Sequence, residues 1–289
     1  MDPAVLEAVE EEAIAPARTR FFAKPSDFAD TVADYFSSFK SWRMWNYMAL
    51  ADIRRRYRRT LIGPFWTTLS LAIFISSMGV LFSILWKTDI KSFLPYFASG
   101  FISWTFVSCI ITEGCQTFIN MEGLLKQISF PFAACAWLVV TRNFWIFLHQ
   151  ITIYIVIAFI YHVPLTRYTF LAFPGLILLF LTGSWVTMLL GSLCARFRDM
   201  HQVVISLLQI SMFVTPIFWP EAQLGTGFKA YLIVNSNPLY HYVVVVRQPL
   251  MGQSPHLISW IIVSVMTVLG WLITMLVMSK NHRKLIFWL

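Results

Sequence analysis

The sequence predicts an all-α membrane protein with six transmembrane helices, and three observations carry that prediction. Of its 289 residues, 58% are hydrophobic and only 12% charged, with a mean hydropathy of +0.67, where a soluble domain carries about a quarter charged residues. Six runs contain no Asp, Glu, Lys or Arg: Leu61–Trp86, Phe93–Thr112, Asn143–Tyr161, Thr169–Ala195, Val203–Trp219 and Leu257–Met278. A membrane-crossing helix needs about 20 such residues, and an earlier start for the third run, at Phe132, is open. Five arginines, Arg54, Arg55, Arg56, Arg58 and Arg59, abut the first run, as basic residues do where a chain enters the membrane from the cytoplasm.

Ahead of these arginines, Met1 to Lys24 is acidic, alanine-rich and punctuated by proline, so residues 1–27 read as a mobile tail. This stretch lacks the apolar core of a cleavable signal peptide, and the first span is expected to direct insertion. From Phe28 the pattern changes. Phe28, Val32, Tyr35, Phe36, Phe39, Trp42 and Trp45 recur at helical spacing, with Asp30, Asp34, Ser38 and Lys40 between them. An aromatic amphipathic helix beside a membrane entry lies in the interface plane; packing on a partner protein is the alternative, because the polar face carries both signs. Residues 28–59 therefore form an interfacial helix with a basic anchor. Residues 60–279 form the membrane domain, with Gly63-Pro64 at its mouth, where proline suits the first turn of a helix.

An even number of spans puts both termini on one side. On the arginine side the loops hold eleven Lys and Arg (54–59, Lys126, Arg196, Arg198, Lys280, Arg283 and Lys284), against five on the other (Lys87, Lys91, Arg167, Lys229 and Arg247). That asymmetry places both termini in the cytoplasm, the second as a short tail at 280–289. Between the second and third spans, residues 119–131 form a short cytoplasmic segment in which Leu124, Leu125 and Ile128 oppose Glu122, Lys126 and Gln127, closed by Pro131. Between the fifth and sixth, residues 220–255 hold apolar pieces at 231–234 and 242–246, broken by Asn235, Asn237, Pro238, Arg247, Pro249 and Gly252. These pieces are too short to span and read as re-entrant or interfacial helices on the outer face.

The motifs that are missing narrow the function. No GxSxG elbow, no HExxH and no Walker A pattern occurs, so neither hydrolase chemistry nor ATP binding by that route is expected. The formal charge of +8 sits at the ends of apolar runs with no nucleic-acid motif beside it, which removes nucleic acid as a partner. Four cysteines show no metal-ligand spacing and read as packing residues. Glu113, with His149, is slight support for a proton relay. Arg142 reads as snorkelling to headgroups, or as an anion contact within a pathway. Two or three arginines would set orientation, so the surplus at 54–59 is available to a lipid phosphate or diphosphate. Interfacial belts explain aromatics near span ends such as Trp66, whereas Phe101, Trp104 and Trp145 lie deeper and either pack helices, face lipid or line a route for an amphipathic cargo.

Four stretches in fixed order carry a resemblance: DIRRRYRRTLIGPFW at 52–66, NMEGLLKQISFP at 120–131, ARFRDM followed by TPIFWP within 195–220, and NPLYHYVVVVRQPLMG at 237–252. From about Trp42 onward the chain resembles the transmembrane permease of type-2 ABC exporters of lipid-linked polysaccharides, the exporters of O-antigen, capsule and wall teichoic acid. The resemblance implies a homodimer of six-helix subunits in the bacterial inner membrane, joined by two cytoplasmic ATP-binding cassette subunits. Those partners would hold ATP-Mg, and this chain would bind no cofactor and no metal. Arg54, Arg55, Arg56, Arg58, Arg59, Gly63 and Arg142 would border an entrance for a polyprenyl-diphosphate-linked glycan. Trp66, Phe101 and Trp104 would stack on sugars along the channel. Asn120, Glu122, Leu124, Lys126 and Gln127 would lie on a coupling helix against the ATPase, and Pro216, Trp219, Pro238, Tyr240 and Arg247 on gate helices at the outer face. The implied function is export of a lipid-linked polysaccharide, O-antigen first among them. A type-2 permease for a drug or another lipid is the alternative. A membrane-embedded transferase is a more distant one, because no carboxylate or histidine pair sits near a membrane face.

Overall fold

A computed structural model describes residues 28–58, 60, 62, 63, 65–127, 130–224 and 234–289. The tail expected at 1–27, Arg59, and the apolar piece at 231–233 lie outside the described residues. Every regular element among the described residues is helical: α1 (Phe28–Lys40), α2 (Trp42–Arg56), α3 (Phe65–Leu85), α4 (Ile90–Cys115), α5 (Thr117–Asn120), α6 (Glu122–Gln127), α7 (Phe132–Ile160), α8 (Ala172–Arg196), α9 (Met200–Val214), α10 (Pro238–Leu250) and α11 (Leu257–Trp288), with short 3-10 turns at Arg167–Leu171 and Glu221–Leu224.

Five of these helices are long and apolar enough to cross a membrane: α3, α4, α7, α8 with its leading 3-10 turn, and α11. The run expected as a fifth span, Val203–Trp219, forms the 15-residue α9, which at 1.5 Å per residue reaches about 22 Å of the roughly 30 Å hydrocarbon thickness. Its end is dictated by Thr215-Pro216. A residue before proline is driven out of the helical region, and Thr215 sits at φ −76, ψ 133. The remainder of the run, Thr215 to Phe218, is buried as irregular chain. The third span begins at Phe132, eleven residues before the charge-free run, because Arg142 lies inside the helix and is neutralised there. Residues 280–288, expected as a tail, continue α11, and Leu285 is fully buried against the body.

The turns follow from backbone chemistry. Lys87 and His162 occupy the left-handed region at φ 52 and 54, and each reverses the chain after a long helix; Thr88 N–H then reaches Ser83 O at 3.0 Å, and Val163 N–H reaches Ala158 O at 2.9 Å. Asp89 caps α4 by accepting from Lys91 N–H at 3.0 Å, and Asn237 caps α10, with Pro238 at its first turn. α4 is the axis of the bundle and packs against α3, α7, α8 and α10. α4 and α8 approach at Gly114 and Gly191, where a Cβ on Gly191 would stand 3.1 Å from the Gly114 carbonyl oxygen. Small residues permit such crossings where hydrocarbon supplies no drive for association.

The segment expected at the membrane interface is two helices, with a break at Ser41. Tyr35 and Trp45 turn inward onto Trp137 of α7, with ring centroids 5.1 and 5.9 Å away. Phe28, Phe36, Phe39 and Trp42 remain exposed, the aromatic face that a helix lying in a membrane interface presents. Trp137 also meets Phe180 and Trp271, which makes it the centre of an aromatic cluster binding α1, α2, α7, α8 and α11. The same cluster contains Phe118, Phe132 and Leu285, so α1, α2, α5 and the end of α11 share one end of the molecule.

Candidate functional site

The arginine end is built on the last turns of α2. Asn46 Oδ1 accepts from Trp145 Nε1 at 2.9 Å, and Ala49 and Ile53 are buried beneath, so the helix is seated on α7 with its outer side exposed. Arg54, Arg55 and Arg58 are exposed. Gly63 turns the chain into α3 at φ +62, a conformation most residues reach only with strain; its carbonyl accepts from Trp66 N–H at 3.3 Å.

The arginines do not act as one cluster. Arg55 pairs with Asp52 at 3.1 Å and Arg56 with Glu113 at 3.3 Å, while Arg54 and Arg58 form no ion pair among the described residues. Arg142, expected at the entrance, is corrected. Its side chain is only 13% exposed, with Nη1 3.0 Å from Asp52 Oδ2 and Nη2 2.8 Å from Glu113 Oε2. It neither snorkels nor awaits an anion, because two carboxylates already hold the guanidinium. Glu113 also accepts from Asn143 Nδ2 at 2.6 Å, whereas His149 bonds the Trp145 carbonyl one turn further along α7. The slight case for a Glu113–His149 proton relay therefore has no geometry behind it. The pairing of Arg142 carries no local sequence signal, since Asp52 lies 90 positions away from it.

The expected channel aromatics divide. Trp66 is 54% exposed, but Phe101 and Trp104 are 9% and 3% exposed. Phe101 stacks on Phe74 at 4.8 Å and lies against Phe97 and Phe218, and Trp104 is enclosed in the same core. Both pack the subunit interior and are withdrawn as sugar contacts. They sit on the central helix α4, whose apolar surface is covered on nearly all sides.

Of the residues expected to meet an ATPase, Asn120 closes α5, and Glu122, Leu124, Lys126 and Gln127 lie on α6. Leu125 is buried and anchors the turn, while Asn120, Lys126 and Gln127 are exposed. Lys126 Nζ donates to Glu122 Oε1 at 2.6 Å. That hydrogen bond and charge, with a smaller contribution from Arg198, hold the Glu122 carboxyl below its usual range.

At the opposite end the chain after α9 is pinned from four sides. Trp86 Nε1 donates to Phe218 O at 2.8 Å, Tyr96 Oη to Pro216 O at 3.0 Å, and Asn237 Nδ2 to Thr215 Oγ1 at 2.8 Å. Arg247, 3% exposed at its side chain, donates to Pro216 O at 2.7 Å and Glu221 Oε1 at 2.6 Å, with its guanidinium 4.2 Å from the Tyr96 ring centroid. Trp219 donates to Phe213 O at 3.0 Å and packs on Tyr240, Val234 and Val244. Pro216, Trp219, Tyr240 and Arg247 are thus brought together, with Pro238 exposed at the start of α10. Tyr96 and Glu221 belong to this site and carried no sequence signal, because their role depends on a contact with Arg247 across the fold.

A family model described as ABC-2 type transporter matches residues 45–251. The chain is also similar to the O-antigen export system permease protein RfbA of Myxococcus xanthus, 25% identical over 189 residues that cover 65% of this chain and 72% of that protein.

Proposed function

The chain belongs to the ABC-2 type transporter family, and from that premise we propose that it is the channel-forming subunit of an exporter of lipid-linked polysaccharide, O-antigen foremost. Two copies would form the route across the bacterial inner membrane. Two cytoplasmic ATP-binding cassette subunits would supply the energy from ATP-Mg. Similarity to the Myxococcus xanthus permease supports the choice of cargo.

The observation that carries this reading is the pair of helices the subunit leaves uncovered. α9 buries none of its residues, and α3 buries only Thr68, Ile75, Gly79 and Ser83. Their exposed faces are not purely apolar. Trp66, Ser70, Ile73 and Ser77 follow one another along α3, and Gln202, Ser206, Gln209 and Phe213 along α9, each at the three- and four-residue steps that define one helix face. Hydrocarbon offers no partner to a glutamine amide, which belongs against protein or a water-filled route. Apposed across a two-fold axis, these faces would give a hydroxylated, aromatic-dotted wall suited to a sugar chain. In this reading Arg54 and Arg58, without an ion pair among the described residues, meet the lipid diphosphate beside Gly63.

Expression with its cassette subunit in cells lacking their own exporter should restore surface glycan. Replacing Ser70, Ser77 and Gln209 together by Leu keeps α3 and α9 apolar and should lower export about tenfold, equivalent to about 1.4 kcal/mol on the transport barrier, with membrane insertion retained. Normal glycan export in that variant would remove this route, and restored drug extrusion without glycan would favour a drug permease. A separate expectation concerns α6. Reversing charge at Glu122 or Lys126, a pair exposed to water, should leave folding intact and separate ATP hydrolysis from export. Normal export with normal hydrolysis would show that α6 is not the coupling surface.

A further inference from the structure

A line of alternating charge crosses the arginine end of the molecule. It runs from Arg55 to Asp52 (3.1 Å), on to Arg142 (3.0 Å), to Glu113 (2.8 Å) and to Arg56 (3.3 Å). The line starts and finishes on neighbouring residues of α2 and passes through α7 and α4 between, and its two points of attachment on that helix, Asp52 and Arg56, lie one turn apart. One turn of α2 is therefore held at Asp52 by α7 and at Arg56 by α4. Among the described residues Arg142 has only these two carboxylates, and its Nε has no partner. The guanidinium cannot leave them without becoming an uncompensated, largely buried charge.

Glu113 stands in the last turn of α4, and its backbone carbonyl accepts from Gln116 N–H and from Thr117 Oγ1, at 3.1 Å in each case. Thr117 opens α5, which leads through Met121 into α6. The residue that holds α2 in place is thus also the one from which the α5–α6 segment departs. A displacement of that segment must either carry Glu113, Arg142 and α2 along or break the ion pairs, and packed charge networks of this kind have discrete arrangements rather than a continuous range.

We propose that Glu113, acting through Arg142 and Arg56, is a positioning residue that makes α2 and its exposed arginines follow the α5–α6 segment when the cassette subunit moves it. The inference rests on the transport reading above. It adds that the entrance and the coupling surface are one mechanical unit, so cargo contact and nucleotide state are linked before any span reorients.

The test uses the complex with its cassette subunit in lipid, with the exposed Cys109 replaced by Ser. Spin labels are placed in pairs, Gly123→Cys with Lys280→Cys to follow α6, and Tyr47→Cys with Lys280→Cys to follow α2. Gly123, Tyr47 and Lys280 are exposed, and a Cβ at Gly123 meets nothing within 4 Å. In the native charge network both distances should change on ATP binding. In Glu113→Gln the α6 distance should still change and the α2 distance should stay at its resting value, with export reduced about tenfold, a usual size for coupling between sites. Arg56→Gln, which removes the exposed end of the line without stranding a buried charge, should uncouple α2 in the same direction and guards against misfolding of the first variant. If α2 keeps following α6 in both variants, or stays still in the native network while α6 moves, the positioning role is wrong although the transport reading stands. If α6 itself ignores nucleotide in the native network, the transport reading fails and takes this inference with it.

Discussion

Replacing Arg142 with Met lowers the stability of the membrane domain by about 3 kcal/mol, the lower end of the cost of removing one member of a buried ion pair. Asp52 and Glu113, with 29% and 25% of their side chains exposed, would then face each other's element without the cation between them. Arg55 and Arg56 remain as partners but reach only one oxygen of each carboxylate. Against a total stability of about 5–15 kcal/mol this is a large fraction. The measurement is thermal unfolding of detergent-purified protein, with monodispersity checked before heating. Arg142→Lys should recover part of the loss, because an ammonium restores charge but cannot bridge both carboxylates in the planar geometry of a guanidinium. An unchanged melting temperature for Arg142→Met would mean that water already compensates the two acids.

The second large effect is expected at Trp137. Its ring joins Tyr35 of α1, Trp45 of α2, Phe180 of α8 and Trp271 of α11, and its surface is 1% exposed. Truncation to Ala leaves a cavity at the junction of five helices, at a cost of about 3–5 kcal/mol on the scale of buried aromatic deletions. Trp137→Phe should lose less, since most of the ring contacts persist and the indole N–H has no partner to forfeit. Because the inward side of α1 meets the body chiefly at this cluster, while α2 is also held by Asn46, Asp52 and Arg56, α1 should detach first, and proteolysis after Lys40 or Arg43 should accelerate well below the temperature at which the bundle melts. Cleavage at the native rate in Trp137→Ala would contradict the central place given to this cluster.

How far the sequence could be read depended on what each inference required. Length and absence of charge identified α3, α4, α8 and α11, since a bilayer constrains them one by one. The same criterion began α7 too late, because Arg142 interrupts the run while belonging to the helix. It also carried the fifth run past Thr215, where the following proline and the acceptors offered to Tyr96 and Arg247 favour irregular chain. Direction was harder than existence. A helix apolar all round gives no periodic sign of which face is inward, so Phe101 and Trp104 read like channel residues although both are interior. Turn and cap residues such as Asp89 and Asn237 act locally and were open to reading. Paired charges such as Arg142 with Asp52, or Arg247 with Glu221, join positions far apart in the chain, and one sequence holds no record of such meetings.

The order in which those charges occur along the chain bears on biogenesis. Synthesis runs from the N-terminus, so Asp52 and Glu113 leave the ribosome before Arg142. Each acid has a cation of α2 at hand before α7 follows: Arg55 lies three residues beyond Asp52, and Arg56 precedes Glu113 by 57 positions. When α7 follows, its one arginine meets two carboxylates in place rather than bare lipid, where an isolated cation costs several kcal/mol. The third long helix can therefore enter the bilayer with its charge neutralised on arrival, and the seating of α2 becomes a condition for everything inserted after it.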